Sequence, residues 1–407
     1  MQRKLKICVV NDHFSYGPGG QHRIQNIGIA LEKLDHEVTY VCPYGISNNI
    51  ADLALTYDKL QQSVSTKYFY PILNDFFGIF RNLAKLREKP DLIIVELPYT
   101  SMKAWSALYA RLRSVQTIFD YADLWMSLWN KPFREQPGFS LKCAYRVGSI
   151  FEDSNVIITS RMASILTAIS SPLGYLLGKL TRRKVHVLLQ PVDTRELFNP
   201  DKVINENNNY ISRLLERCNA ERFIMLGIKH DNEWIISETS KIVRELRDEH
   251  ACILVAGSFP RAQELSKRKG LDKNICFLGK IPHALMPFIL KLVDFSLVIT
   301  SPHIKSLKYT TYNITKVAEY LAMGKPVIAD SINLIDYVIN GYNGFIVKDL
   351  GQLREKVLLL LNDQKMLRQM SANARKLANE KLDSIKVASK LVELYKVYLT
   401  RESNKIN

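Results

Sequence analysis

The sequence has little of what marks metal, redox or nucleic-acid proteins. Its six cysteines (Cys8, Cys42, Cys143, Cys218, Cys252 and Cys276) are scattered, with no C-x-x-C pair and no dense framework. They read as small buried hydrophobes in a reducing compartment. The eight histidines form no H-x-x-x-H and no Cys/His cluster, so no protein-bound metal is expected. Zinc-finger spacing, an RNP-type strand and basic–aromatic repeats are all missing, which argues against nucleic acid as a partner. Long hydrophobic runs are missing too. The longest uncharged stretch, residues 162–178, is broken by Ser170, Ser171, Pro172 and Gly174. It falls short of the roughly 20 apolar residues a membrane span needs. The apolar run at residues 7–10, behind a basic start, is too short for a signal-peptide core. The expected location is the cytoplasm, with contact to the inner face of the cell membrane left open.

Acidic residues are in deficit: 40 Asp and Glu against 56 Lys and Arg give a net charge of +16. A balance of this sign favours phosphate-bearing partners, from nucleoside diphosphates and polyprenyl phosphates to anionic membranes, without choosing among them. What is present is globular: 47% hydrophobic and 24% charged residues over 407 positions. That length exceeds one ordinary core and suggests two domains.

Short apolar runs alternate with helical patterns along the chain. Strands are expected at residues 5–10, 36–42, 91–96, 117–119, 155–159 and 184–189. A second series is expected at residues 223–226, 252–256, 274–278, 294–299, 326–329 and 344–347. A glycine loop (Gly17, Gly19, Gly20) and a helical pattern with Ile24, Ile27 and Leu31 separate the first two strands, which makes a βαβ unit and a parallel sheet. Residues 200–220 are polar and Asn-rich and read as a linker. Two doubly wound α/β halves would place a ligand cleft at the carboxyl ends of both sheets. The C-terminus is helical, at residues 350–361, 364–379 and 385–399, the last with Val387, Leu391, Leu394 and Val397 at helical spacing.

The most informative segment is residues 316–329, a short helix that ends at Gly324 and turns through Pro326 into a buried strand. Lys316 and Glu319 lie three residues apart and share one face, with Val317, Leu321 and Ala322 turned to the body of the protein. Such a pair suits a diphosphate and sugar hydroxyls; from spacing alone it is equally an i,i+3 surface ion pair. Gly19 and Gly20 open the first helix, where free amides suit an anion, or simply make a tight turn. Asp120 and Asp123 follow a strand and could orient a hydroxyl or act as a base, or form an Asx turn. Residues 76–89 are basic and amphipathic, with positions 76, 79, 80, 83 and 86 on one face. They fit either a helix lying on an anionic bilayer or a domain helix with a solvated basic side.

Taken together, these segments resemble the retaining GT-B glycosyltransferases of family 4 (group 1 glycosyl transferases), in the variant K-x-x-E-Y-x-A-x-G-x-P-V. Gly19-Gly20-Gln21-His22-Arg23 followed by His36-Glu37-Val38 is similar to that family's G-G-x-x-R start and H-E-V strand. Asp120 to Trp125 resembles its D-x-x-D-L-W loop, and residues 190–200 its N-G-V-D-x-x-x-F-x-P element, with Gln190-Pro191 in place of Asn-Gly and Asp193 in a structural role. The resemblance implies two Rossmann-like domains around a cleft: an acceptor domain (1–200), a linker (201–220), a nucleotide-sugar domain (221–380) and a final helix crossing back to the first domain (381–407). It implies transfer of a sugar with retention from a nucleoside diphosphate sugar to a lipid-linked or other glycan acceptor, such as a polyprenyl-linked one. The donor is a co-substrate, and no cofactor or essential metal is implied. Glu319 would bind ribose hydroxyls. Lys229, Lys316 and the backbone at Thr311, Tyr312 and Asn313 would meet the phosphates. Asp120 and Asp123 would serve the acceptor, and Gly19, Gly20 and Arg23 an acceptor or phosphate loop. Two departures matter: Thr311 stands where the family's first glutamate of E-x7-E falls, and Glu233 stands where a cation binds the diphosphate. They keep two alternatives in view, a nucleotide-sugar 2-epimerase on the same fold and a non-catalytic partner subunit.

Overall fold

Continuous apolar runs become strands buried on both faces, the mark of parallel sheets covered by helices. The computed structural model describes the chain apart from residues 1–2, 13, 15–21, 64–76, 97–99, 123–153, 155, 204–219, 229–232, 243–245, 247–249, 272–273, 301–312 and 407. Two compact units result, one from residues 1–189 with 384–407, the other from residues 190–383 without 309–311. The first crossing falls at Leu189/Gln190, where the sequence placed it near residue 200. Backbone pairing of Val192 with Leu382 and Asp383 ties this segment to the end of the second unit. Most of the expected linker lies outside the described residues.

In the first unit, β1 (Lys6–Val10), α1 (His22–Lys33), β2 (Glu37–Cys42) and β3 (Gly45–Ser47) are followed by α2 (Ile50–Ser63) and α3 (Gly78–Ala84). Then come β4 (Leu92–Glu96), α4 (Thr100–Leu112), β5 (Gln116–Tyr121), α5 (156–162), β6 (Ile165–Ala168), α6 (Ser171–Thr181) and β7 (Val185–Val187). The sheet order is β3-β2-β1-β4-β5-β6-β7, parallel except for β3. Helix α1 crosses β2 closely: a Cβ on Gly28 would lie 2.5 Å from the Tyr40 ring, so only glycine fits there.

One expectation fails in this unit, and one open alternative is decided. Residues 155–159 were expected as a strand, yet the described part is helical. The β-branched run Val156-Ile157-Ile158-Thr159 favours a strand locally, but Val156, Thr159, Ser160 and Ala163 are buried at helical spacing while Ile158 is exposed. The strand comes next, as β6, inside the long uncharged stretch. Within residues 76–89, only Gly78–Ala84 is helical, and Ile79 and Leu83 are fully buried. Of the two readings open for this stretch, the domain helix is the one found, with Ile79 and Leu83 turned to the core.

The second unit holds β8 (Arg222–Leu226), α7 (Glu233–Thr239), β9 (Ala251–Ala256), α8 (Pro260–Arg268), β10 (Ile275–Gly279), α9 (Met286–Leu292) and β11 (Phe295–Val298). It continues with α10 (Ile314–Ala322), β12 (Val327–Ala329), β13 (Gly344–Ile346), α11 (Leu350–Asn362) and α12 (Gln364–Leu377). Its sheet, β10-β9-β8-β11-β12-β13, is wholly parallel. Asp349 and Asp363 cap α11 and α12 by accepting from the Gln352 and Met366 amides at 2.9 and 2.8 Å.

The last helix, α13 (Ser384–Ile406), packs on α1 within the first unit. Val387, Leu391 and Tyr395 are buried there, each side chain contributing about 1.5–3 kcal/mol by burial. Val397, the last of the expected stripe, is 44% exposed. Among the described residues no helix is long and apolar enough to cross a membrane. Cys8, Cys42 and Cys252 are free and buried. Cys276, by contrast, is disulfide-bonded. This departs from six reduced thiols, because a bridge between distant cysteines has no signature in their spacing.

Candidate functional site

In the second unit the site is built on α10. Its end is a full Schellman cap: the Lys325 amide donates to the Tyr320 carbonyl at 2.8 Å and the Gly324 amide to Leu321 at 3.0 Å. Gly324 sits at φ +67°, and Pro326 leads into β12. At the helix start, Asn313 is left-handed (φ +65°) and its Nδ2 donates to the Gly227 carbonyl at 3.4 Å. Lys316 Nζ donates to the Ile228 carbonyl. Both side chains therefore reach the loop that leaves the carboxyl end of β8.

Glu319 is not on an open face. It is 7% exposed and pairs through Oε1 with His283 Nε2 at 2.8 Å. Against a carboxylate the imidazole is the donor. Burial alone would lower the His283 pKa, but the hydrogen bond and charge of Glu319 outweigh it and raise it above the ordinary value. Phe198 packs on the imidazole with ring centroids 5.4 Å apart. Asn313, Lys316 and Glu319 thus meet on one helix, while Lys229, Thr311 and Tyr312 lie outside the described residues.

A second constellation stands at the carboxyl end of the first unit's sheet. Strand register sets Glu96 beside Asp120 and Asp120 beside Thr167. Arg23, from α1, grips Asp120 in a fork, Nε to Oδ2 at 2.7 Å and Nη2 to Oδ1 at 2.9 Å. It also donates to the Leu188 and Leu189 carbonyls at 2.8 and 3.0 Å. Thr167 Oγ1 donates to Asp120 Oδ1 at 2.6 Å. Asp120 is fully buried and engaged by this set, which is how a positioning carboxylate is held. Asp123, Gly19 and Gly20 lie outside the described residues.

Two buried groups nearby hold abnormal pKa values. Burial, then the charge of Asp120, pushes Glu96 up to about 8. Burial lowers Lys103 to about 7 against the opposing pull of Asp120 and Glu96. Lys103 Nζ lies 3.4 Å from the Tyr121 ring centroid. Glu96 Oε2 has no hydrogen-bond partner among the described residues.

The linkage follows from these directions. Glu96 has a raised folded pKa, so its contribution is complete below about pH 4.5 and is lost as pH rises through about 8. Glu96→Gln removes that loss. The variant's melting temperature, relative to the parent, is expected to rise between pH 5 and pH 8; a constant difference across that range would show that Glu96 does not hold its proton.

Glu96, Lys103, Thr167 and His283 were not singled out from the sequence. For Glu96 a signal existed, a lone carboxylate closing an apolar strand that ends level with Asp120. For His283, 36 positions from Glu319, none did.

Residues 222–363 match the model of the family described as "Glycosyl transferases group 1". No curated protein sequence matches the chain. Solved structures do. A glycosyltransferase from Rickettsia africae ESF-5 is 15% identical, with 98% of this chain and 99% of that one covered and a TM-score of 0.66. Anabaena Alr3699/HepE in complex with UDP-glucose is 14% identical, with 96% and 100% covered and a TM-score of 0.61. A putative UDP-N-acetylglucosamine 2-epimerase from Listeria monocytogenes is 14% identical, with 98% of each chain covered and a TM-score of 0.60. At such identities the likeness establishes the fold: two parallel-sheet, Rossmann-like units of the GT-B type.

Proposed function

We propose that the protein is a glycosyltransferase that moves a sugar from a nucleoside diphosphate sugar to a lipid-linked or other glycan acceptor, with retention of configuration. The observation that carries this reading is the convergence of Asn313 and Lys316 on the β8 loop, from the helix that also carries Glu319 and within the segment that matches the group 1 family. In this reading Glu319 binds the ribose hydroxyls through a carboxylate steadied by His283. Lys316 exchanges the Ile228 carbonyl for donor phosphate, and Lys229, Thr311 and Tyr312 complete the phosphate contacts. The protein's contribution to the chemistry is electrostatic stabilisation of the leaving diphosphate and placement of the acceptor hydroxyl. Arg23 and Thr167 hold Asp120, which together with Asp123 serves the acceptor hydroxyl. The reading places the enzyme in the cytoplasm, held on the anionic inner face of the membrane. Electrostatic attachment of this kind suits the net charge of +16.

Thermal melting with a panel of nucleoside diphosphate sugars tests the donor assignment. A donor at a hundred times its Kd is expected to stabilise by about 2.7 kcal/mol, because it binds only the folded state. No stabilisation by any donor would favour a non-catalytic partner subunit. The likeness to the Listeria protein supports a second reading, a 2-epimerase. Incubation with the donor and no acceptor separates the two, since only an epimerase would return an isomerised nucleotide sugar.

A further inference from the structure

We infer that the outer surface of α3 and α4 is the face that docks on an anionic lipid bilayer. This rests on the proposed membrane attachment and names the surface that makes it, one different from the apolar stripe of residues 76–86.

The buried side of α3 leaves Phe77, just before the helix, turned outward and 58% exposed. Its ring packs at a tilt of 45° against Trp105 of α4 with centroids 4.9 Å apart, so the two helices share one apolar ridge. From Trp105 the ridge runs along α4 at helical spacing to Leu108 and then Leu112, which is 67% exposed. Single exposed leucines are ordinary; a ridge joining two helices and rimmed by charge is not. The rim is entirely basic: Arg81 on α3 and Arg111 and Arg113 at the end of α4 are exposed. Neither residues 76–87 nor residues 99–119 contain a single Asp or Glu.

That combination selects the partner. A nucleic acid or acidic peptide would answer the cations and leave the leucines unexplained. A bilayer interface takes an apolar and aromatic wedge at the acyl boundary and cations at the headgroups. The inward side of the same helix carries Lys103 against Tyr121, five residues and about 7.5 Å of axial rise from Leu108. Helix α4 runs back from the carboxyl end of β4 to the amino end of β5, so Leu112, Arg111 and Arg113 lie toward the amino end of the first unit's sheet, with Leu112 nine residues and about 13.5 Å of rise from Lys103.

Flotation of the full chain with phosphatidylglycerol-containing and pure phosphatidylcholine vesicles at low and high salt tests this. The parent is expected to float with anionic vesicles at low salt and to be released by salt. Leu108→Ser/Leu112→Ser is expected to lower its partition about tenfold or more, and Arg111→Ser/Arg113→Ser about tenfold at low salt. Both pairs should still melt cooperatively, with at most a small downward shift, since Leu108 is 36% exposed and Arg113 hydrogen-bonds Tyr109. Equal flotation of the parent and both variants would overturn the assigned surface while leaving membrane attachment standing. A loss confined to the arginine pair would overturn the apolar wedge. A parent that ignores anionic vesicles would overturn the surface and the attachment together.

Discussion

Truncating Arg23 to Ala is expected to destabilise the first unit by about 3–5 kcal/mol, the cost of leaving a buried charge without its partner. Arg23 is 4% exposed and Asp120 is completely buried. Removing the guanidinium leaves the Asp120 carboxylate, among the described residues, with the Thr167 hydroxyl as its side-chain donor, and strips a donor from the Leu188 and Leu189 carbonyls. It also strands Asp120 beside Glu96, whose proton is retained partly because of that neighbouring charge. Asp120→Ala should cost a comparable amount, and the double variant much less than the sum, which is the signature of a coupled pair. Urea denaturation should be followed with a probe in the first unit, because a chain of two compact units need not unfold in one step. If Arg23→Ala costs under about 1 kcal/mol, the fork is an ordinary surface-strength ion pair. The assignment also changes how the G-G-x-x-R start is understood. Its arginine clamps α1 to β5 and to the segment after β7.

The fold was legible where burial is continuous. Runs such as Ile7-Cys8-Val9-Val10 and Leu92-Ile93-Ile94-Val95 leave no exposed face, and a covered parallel sheet is their stable arrangement. Legibility failed where local preference and tertiary packing disagree, as at Val156 to Thr159, whose β-branched residues pack as a helix. It failed again at residues 76–89, where an amphipathic pattern shows that one face is covered but not what covers it. The site was legible on one element and dark across elements. Lys316 and Glu319 share a helix turn, so spacing brings them together. Arg23 meets Asp120 across 97 positions and Thr167 meets it across 47, through strand order alone. His283 reaches Glu319 from the 3-10 turn after β10, and no local pattern announces that meeting.

Replacing Glu319 with Gln is expected to weaken donor binding about 5- to 10-fold, the loss that follows when a charge-assisted hydrogen bond worth roughly 1.5–3 kcal/mol becomes a neutral one worth about 0.5–1.5 kcal/mol. Gln keeps the size of the side chain and can still accept from His283, so α10 and its Schellman cap should be preserved. Among the described residues the hydrogen-bond partner of Glu319 is on Oε1, which leaves Oε2 as the oxygen for a ribose hydroxyl. His283 supplies a second handle on the same bond. Its pKa is raised in the folded chain, so the stability from the imidazolium–carboxylate pair is complete below the unfolded value near 6.5 and is lost as pH climbs through the raised one. Donor affinity of the parent should therefore vary over that window, and His283→Gln should flatten the variation without abolishing binding. Calorimetric titration across pH 6 to 9, with the nucleoside diphosphate sugar that gives the largest thermal stabilisation, measures both effects. Unchanged affinity in Glu319→Gln would remove Glu319 from the donor site and leave its pair with His283 as a purely structural bond.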